Sequence, residues 1–167
     1  MKKFDNLQAA IHNLKDIYSY QAPYGNVEMT GMVGLYEICF EQAWKAMKEI
    51  LTYHGYAEGA TGSPRTVLKT AYKAGMIADE ELWLSALTSR NNVAHAYNEA
   101  VALDIIHQTK ESFYDLFGKL KNEIEERILN KKDYAKQETL FHCSIAQATH
   151  NEFMLSLIHI SEPTRLR

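Results

Sequence analysis

The residues with the clearest capacity for chemistry lie in one short run, SRNNVAHAY at Ser89–Tyr97. Arg90 is permanently charged and suits an oxyanion or a phosphate, whereas a histidine such as His95 can accept and transfer a proton. Asn91 lies between them and can orient either group through hydrogen bonds. The run therefore combines a cation, a proton carrier and a polar helper.

This set of side chains could serve metal-independent RNA cleavage. In that reaction a base takes the 2′-hydroxyl proton, the oxygen attacks the adjacent phosphate, and a cation stabilises the developing charge. A well-positioned histidine contributes roughly 10²–10⁴-fold to such a proton transfer. In this hypothesis His95 moves the proton, Arg90 stabilises the transition state and Asn91 assists, with no metal ion and no cofactor.

The spacing of Arg90 and His95 does not suit a site within one helix. Five residues at about 100° each place the two side chains roughly 140° apart on an ideal helix, so they are not stacked neighbours. A two-fold symmetric dimer would bring both pairs to one cleft, because its interface uses the same surface on both subunits. We therefore predict that activity requires a homodimer.

The elements that must position these residues are all helices, because apolar side chains recur three and four residues apart and nothing reads as a strand. The sequence predicts a first helix with one apolar side, formed by Phe4, Leu7, Ile11, Leu14 and Tyr18. Four further helices are predicted at about Val27–His54, from Ser63-Pro64 to near Gly75, from Asp79 to about Tyr97, and at about Ala100–Leu129. Inward residues of the last include Leu103, Ile106, Phe113 and Phe117. Four long helices and a short third one predict an all-α, antiparallel up-and-down bundle.

Composition limits the class of protein. The chain has 167 residues, 46% of them hydrophobic, and a net charge of -3, which suits one globular domain and gives no general nucleic-acid-binding patch. Cys39 and Cys143 lie far apart and indicate neither a disulfide framework nor a zinc site. The N-terminus lacks a signal peptide, and no segment approaches the roughly 20 apolar residues of a membrane span. We expect a cytoplasmic protein.

The C-terminal part differs from the rest. The helical stripe fades near Asn130, so we place a helical domain at 1–130 and an uncertain extension at 131–154. The reading LSLIHISEPTR at Leu155–Arg165 is similar to the translation of a transposase mosaic-end sequencing adapter. Residues 155–167 are therefore predicted to be non-native and carry no functional argument.

The run RNNVAHAY resembles the R-x4-6-H motif of the HEPN superfamily, and more closely the R-x4-H-x-Y form of HepT-like toxins. The segments FEQAWKAMKEIL, SPRTVLKTAYKAGMI and EELWLSALTSRN are similar to those of nucleotidyltransferase substrate-binding proteins. The resemblance covers nearly all of residues 1–130.

The resemblance implies a dimeric helical bundle that forms a complex with a minimal nucleotidyltransferase. In the HepT branch the helical protein is a ribonuclease toxin, and the nucleotidyltransferase is the antitoxin that adenylylates the motif tyrosine. Carried over to this sequence, Arg90, His95 and Asn91 would be catalytic and Tyr97 would be modified. The family name itself implies a different, non-catalytic role.

Simpler interpretations stand beside these. His95 could cap a helix end or be satisfied in the core, and Tyr97 could be a packing residue. Arg65, Lys69 and Lys73 recur four apart and give the third helix a basic stripe, which is usually a solvated face but could contact RNA or an acidic partner.

Two functions remain open at this point. The first is a dimeric, metal-independent endoribonuclease toxin, neutralised by a minimal nucleotidyltransferase. The alternative is a substrate-binding subunit of a two-component nucleotidyltransferase, without chemistry of its own. A cleft with Arg, Asn and His suits both, because it can bind a nucleotide phosphate as well as cleave RNA.

Overall fold

The computed structural model describes residues 2–56 and 62–130, and the regular structure within them is helical throughout. In chain order the elements are α1 (Lys2–Leu14) with a 3₁₀ turn (Lys15–Ser19), α2 (Asn26–Tyr53), α3 (Pro64–Lys73), α4 (Glu80–Asn92) with a 3₁₀ turn (Val93–His95), α5 (Glu99–Gln108), a π turn (Thr109–Phe113) and α6 (114–130). The prediction of an all-α helical bundle is confirmed.

The chain divides into two compact units, residues 1–124 and 125–167. The first unit contains the bundle. Of the second, the structure describes residues 125–130, which are helical. The predicted extension 131–154, the predicted adapter-derived tail 155–167 and Cys143 lie outside the described residues and stay predictions. No helix in the described part is long and apolar enough to cross a membrane.

The helix starts follow the capping residues of the sequence. The Asp79 carboxylate accepts a hydrogen bond from the Leu82 backbone N–H at 2.9 Å, and Ser63 accepts one from Thr66 at 3.4 Å. Both side chains satisfy amide groups that the first helical turn leaves without a partner. After α3, Gly75 adopts a φ of 65°, which a glycine tolerates and other residues avoid. These predicted boundaries are confirmed.

Two predicted helix ends are wrong. The fourth helix was expected to reach Tyr97, but α4 ends at Asn92 and a 3₁₀ turn follows. The fifth was expected to be continuous, but the π turn Thr109–Phe113 separates α5 from α6. A π turn accommodates one residue more than a regular helix, so it changes which residues face the core on its two sides.

Aromatic side chains form the centre of the core. Tyr36 of α2 stacks on Phe113 with ring centroids 5.5 Å apart, and Trp83 of α4 lies 5.6 Å from Phe117 of α6. All four are buried, and burial of a large apolar side chain contributes about 1.5–3 kcal/mol. The Tyr36 hydroxyl donates to the Ala86 carbonyl oxygen, so α4 is fixed to α2 one turn before the polar motif.

Two predicted core positions are exposed instead. Tyr18 is 46% exposed because it lies in the 3₁₀ turn after α1, where Ile17 takes the buried position. Leu103 is 37% exposed, whereas Ile105 and Ile106 of the same helix are buried. For Tyr18, the helical period was extended across a segment that is not a regular α-helix.

Candidate functional site

The polar motif spans the end of α4 and the connection to α5. Arg90 and Asn91 belong to the last turn of α4, whereas His95 ends the 3₁₀ turn. The chain then turns tightly, with the Asn98 N–H donating to the His95 carbonyl oxygen at 3.0 Å. The Asn98 side chain caps α5 by accepting from the Ala100 N–H at 2.9 Å. The ideal-helix angle between Arg90 and His95 therefore does not apply, since the helix ends between them.

Arg90 is held by Glu41 of α2. Its Nη2 lies 2.7 Å from Glu41 Oε1, and the exposed fractions of the two side chains are 36% and 20%. Asn91 accepts a longer hydrogen bond of 3.4 Å from Arg90 Nη1. Arg90 Nε is buried and has no hydrogen-bond partner among the described residues. The guanidinium is thus largely committed to a carboxylate of its own chain.

Glu41 is the centre of a small charged cluster. Besides Arg90, it accepts hydrogen bonds from Lys45 Nζ at 3.0 Å and Trp44 Nε1 at 3.2 Å. Burial by itself would raise the pKa of the Glu41 carboxyl, but the hydrogen bonds from Lys45 and Trp44 and the charge of Arg90 together lower it. Glu41 therefore remains a carboxylate at neutral pH.

His95 and Tyr97 form a second, exposed pair. Their ring centroids lie 6.4 Å apart with planes at 69°, an edge-on arrangement. His95 is exposed, and Tyr97 is 89% exposed, so both reactive groups face solvent. Within the described residues no hydrogen bond links His95 to Arg90 or to a carboxylate. One chain thus presents Arg90 with Asn91, and His95 with Tyr97, as two separate pairs.

A groove of about 450 Å³ runs between the motif and α2. It is lined by Asn26, Thr30, Val33, Gly34, Glu37, Val93, Ala96 and Tyr97. Beside it, Val27 and Ile38 of α2 are 85% and 55% exposed. Two glycines, Gly31 and Gly34, lie on the same side of α2, with open space where a Cβ would stand. The motif therefore adjoins an exposed apolar strip that a protein surface could cover.

Sequence reasoning missed the residues that support the motif. Glu41 is far from Arg90 in the chain, and its only local signal was the i,i+4 spacing to Lys45. Trp44 is half-buried, and its indole N–H donates a hydrogen bond to Glu41. Ser89 is buried and donates to Gln108 Oε1 at 3.2 Å, which links α4 to α5 next to the motif.

Other candidate chemistry is limited in the described ranges. No group of three or more His, Cys, Asp and Glu side chains there could hold a metal ion. Cys39 is fully buried, and burial raises the pKa of its thiol well above the ordinary value, so it is a core residue and not a nucleophile. His107 pairs with Glu111 at 3.2 Å on the surface of the protein.

Comparison with known proteins identifies relatives. A family model described as "nucleotidyltransferase substrate binding protein like" matches residues 2–126. A solved structure from Thermus thermophilus is 26% identical, with a TM-score of 0.61, over 71% of this chain and 98% of its own. A second, HI0074 from Haemophilus influenzae, is described as revealing the fold of a nucleotidyltransferase substrate-binding domain. It is 21% identical, with a TM-score of 0.63, over 73% of this chain and 98% of its own, and supports the fold alone. No curated protein matches the chain.

Proposed function

Because the chain belongs to the family of nucleotidyltransferase substrate-binding-like proteins, we propose that it is the substrate-binding subunit of a two-component nucleotidyltransferase. The catalytic chain would be a separate minimal nucleotidyltransferase. This subunit would hold the acceptor substrate while the partner transfers the nucleotidyl group.

The observation that carries this proposal is the ion pair between Arg90 and Glu41. A carboxylate 2.7 Å from the guanidinium neutralises much of the charge that a phosphate transition state would need. The exposed His95 has no described carboxylate to orient its ring, unlike a histidine prepared for general acid–base work. Fixed polar groups beside an open groove suit recognition of a substrate better than cleavage.

We propose that the subunit is a homodimer that uses the exposed strip of α2. Val27, Gly31, Gly34 and Ile38 recur three and four residues apart and therefore share one helix face. The glycines allow a second helix to approach closely, and the two exposed apolar side chains gain by burial. Because Tyr97 borders this face, a two-fold axis here would bring the two motifs near each other.

A second candidate is the HEPN-type ribonuclease toxin, with Arg90, His95 and Asn91 catalytic. The exposed pair of His95 and Tyr97 favours it. The imidazole could reach a substrate, and a modifying enzyme could reach the phenol beside it. In this proposal the partner nucleotidyltransferase would adenylylate Tyr97 and so block access to His95. RNA would be the substrate, and the pairing of Arg90 with Glu41 would have to change in the dimer.

One experiment separates the two proposals. The full chain and a minimal nucleotidyltransferase from the same organism are purified, and nucleotidyl transfer is measured with and without this chain. RNA cleavage by the chain alone is measured in EDTA. His95→Ala is compared with His12→Ala, which removes another exposed histidine.

Transfer that depends on the chain, without cleavage, is the expected result. Cleavage that leaves 2′,3′-cyclic phosphate ends, and that His95→Ala abolishes while His12→Ala does not, would replace the substrate-binding proposal with the ribonuclease. Transfer that proceeds equally without the chain would refute the substrate-binding role.

A further inference from the structure

The helix α3 has an unusual distribution of charge. Its sequence, PRTVLKTAYK, contains three basic residues and no acidic one, in a chain whose net charge is -3. Arg65, Lys69 and Lys73 are exposed, while Val67, Leu68 and Ala71 are buried on the opposite side. The helix thus presents one fully basic face to solvent.

No carboxylate of the described residues neutralises this basic face. No described carboxylate lies within ion-pair distance of any of the three side chains, in contrast to Lys45 and Arg90, which share Glu41. Like charges at i,i+4 weaken a helix, and a cation in the first turn opposes the helix dipole. The arrangement therefore costs the helix stability, and an anionic ligand would offset that cost.

The neighbouring groups indicate which anion. The depression along the stripe, of about 310 Å³, is lined by Ser63, Arg65, Thr66, Lys69, Thr70 and Lys73. Arginine, lysine and hydroxyl side chains together are the usual donors to phosphate oxygens. An acidic protein partner would instead be expected to meet an apolar centre in the interface, and this lining contains no apolar side chain.

An exposed aromatic ring lies on the same face. Tyr72 is 45% exposed and follows Lys69 by three residues and Arg65 by seven, spacings that place it beside both on the helix surface. Cations for the backbone combined with an aromatic ring for a base are the two elements of single-stranded nucleic acid binding. The three cations recur at intervals of about 6 Å, over about 12 Å of helix.

From this charge, exposure and spacing we infer that the outer face of α3 binds a single-stranded nucleic acid. Arg65, Lys69 and Lys73 would contact successive phosphates, and Tyr72 would stack on a base. This site goes beyond the proposed function, because it needs neither the nucleotidyltransferase nor the Arg90–His95 motif. It would give the protein a local grip on a strand despite its overall negative charge.

The test is binding of the full chain to a fluorescein-labelled 12-nucleotide oligouridylate, measured by fluorescence anisotropy from 50 to 200 mM salt. Three phosphate contacts predict a slope near -2 in a plot of log affinity against log salt, so affinity falls about 20-fold over this range. The triple variant Arg65→Gln/Lys69→Gln/Lys73→Gln should lose this slope and weaken binding by on the order of tenfold or more at 50 mM salt.

Two matched controls make the result specific. Lys15→Gln/Lys119→Gln/Lys121→Gln changes the net charge by the same amount elsewhere and should leave affinity and slope unchanged. Tyr72→Leu should weaken binding at least about fivefold, whereas Tyr72→Phe should retain it. Thermal unfolding checks that every variant is folded.

Equal losses in the two triple variants would overturn the inference, because general charge would then explain binding. An unchanged affinity in Tyr72→Leu would also overturn it, since the face would then attract any polyanion. Neither result depends on whether nucleotidyl transfer requires the chain, so this inference and the proposed function fail independently.

Discussion

The ion pair between Glu41 and Arg90 fixes the end of α4 to α2, and its strength can be measured with Glu41→Gln, Arg90→Gln and the double variant. Two unit charges about 4 Å apart attract by about 4 kcal/mol at an effective dielectric constant of 20. Arg90 is 36% exposed, however, so water screens the pair, and fully exposed pairs contribute about 1 kcal/mol or less. We therefore expect a coupling free energy of about 1–2 kcal/mol. This value lies between the two Coulomb limits and near the lower end of the range for hydrogen bonds to charged groups.

The two single variants should differ in their effect on the free energy of unfolding. Arg90→Gln leaves Glu41 with Lys45 and Trp44 as partners, so its cost is about 1 kcal/mol. Glu41→Gln removes the charge shared by all three donors and should cost about 2 kcal/mol. For a chain of this size each 1 kcal/mol lowers the melting temperature by about 2–4 °C.

Urea unfolding at pH 7 and pH 3 provides the assay. The lowered pKa of Glu41 means that its stabilising contribution is present above the ordinary value of 4.5 and is lost as the pH falls through the lower folded value. The coupling should therefore be smaller at pH 3 than at pH 7. A coupling below about 0.3 kcal/mol at pH 7, the usual error of additivity, would refute the reasoning. Arg90 would then be free for a ligand, and the main argument against a ribonuclease would be lost.

Two further predictions concern stability. Burial raises the pKa of Tyr36 and of Cys39, so the folded protein holds protons that the unfolded chain releases above the ordinary values of 10.0 and 9.0. The free energy of unfolding should fall by about 1.4 kcal/mol per pH unit for each group above its ordinary pKa. Urea unfolding from pH 8 to 10.5 should show a smaller fall in the variant Tyr36→Phe/Cys39→Ala than in the wild type. Equal pH dependence in the two proteins would contradict this. Gly75→Ala should destabilise by about 1–2 kcal/mol because of its positive φ, whereas Gly118→Ala, in the open interior of α6, should stabilise by up to about 1 kcal/mol. Melting temperatures that shift in the same direction would count against both assignments.

The sequence predicted the features that depend on local chemistry. Asp79 and Ser63 cap helix starts by accepting hydrogen bonds from backbone amides three residues on, and Gly75 follows a helix end. These interactions involve residues close in sequence, so the sequence predicted the boundaries. The end of α4 was not, because NNVAHAYN contains no proline or glycine to mark the 3₁₀ turn. Helical periodicity likewise cannot register a π turn, since it assumes a constant angle per residue.

The candidate site was predicted only in part, for a similar reason. The run from Arg90 to Tyr97 is contiguous and could be found by its residue types. Glu41, which decides how much of the Arg90 charge is available, lies on another helix and is brought close by packing alone. No spacing rule within a single sequence connects two residues that far apart.

The π turn at Thr109–Phe113 has a consequence for how this fold tolerates insertions and deletions. It holds one residue more than a regular helix needs, yet Thr109 and Phe113 are both buried and the Thr109 hydroxyl donates to the Ile105 carbonyl oxygen at 2.6 Å. Deleting one residue from its exposed part would restore ordinary α-helical geometry without breaking the chain path. The segments before and after the turn thus each keep their own buried residues, Ile105 and Ile106 before it and Phe113 and Phe117 after it.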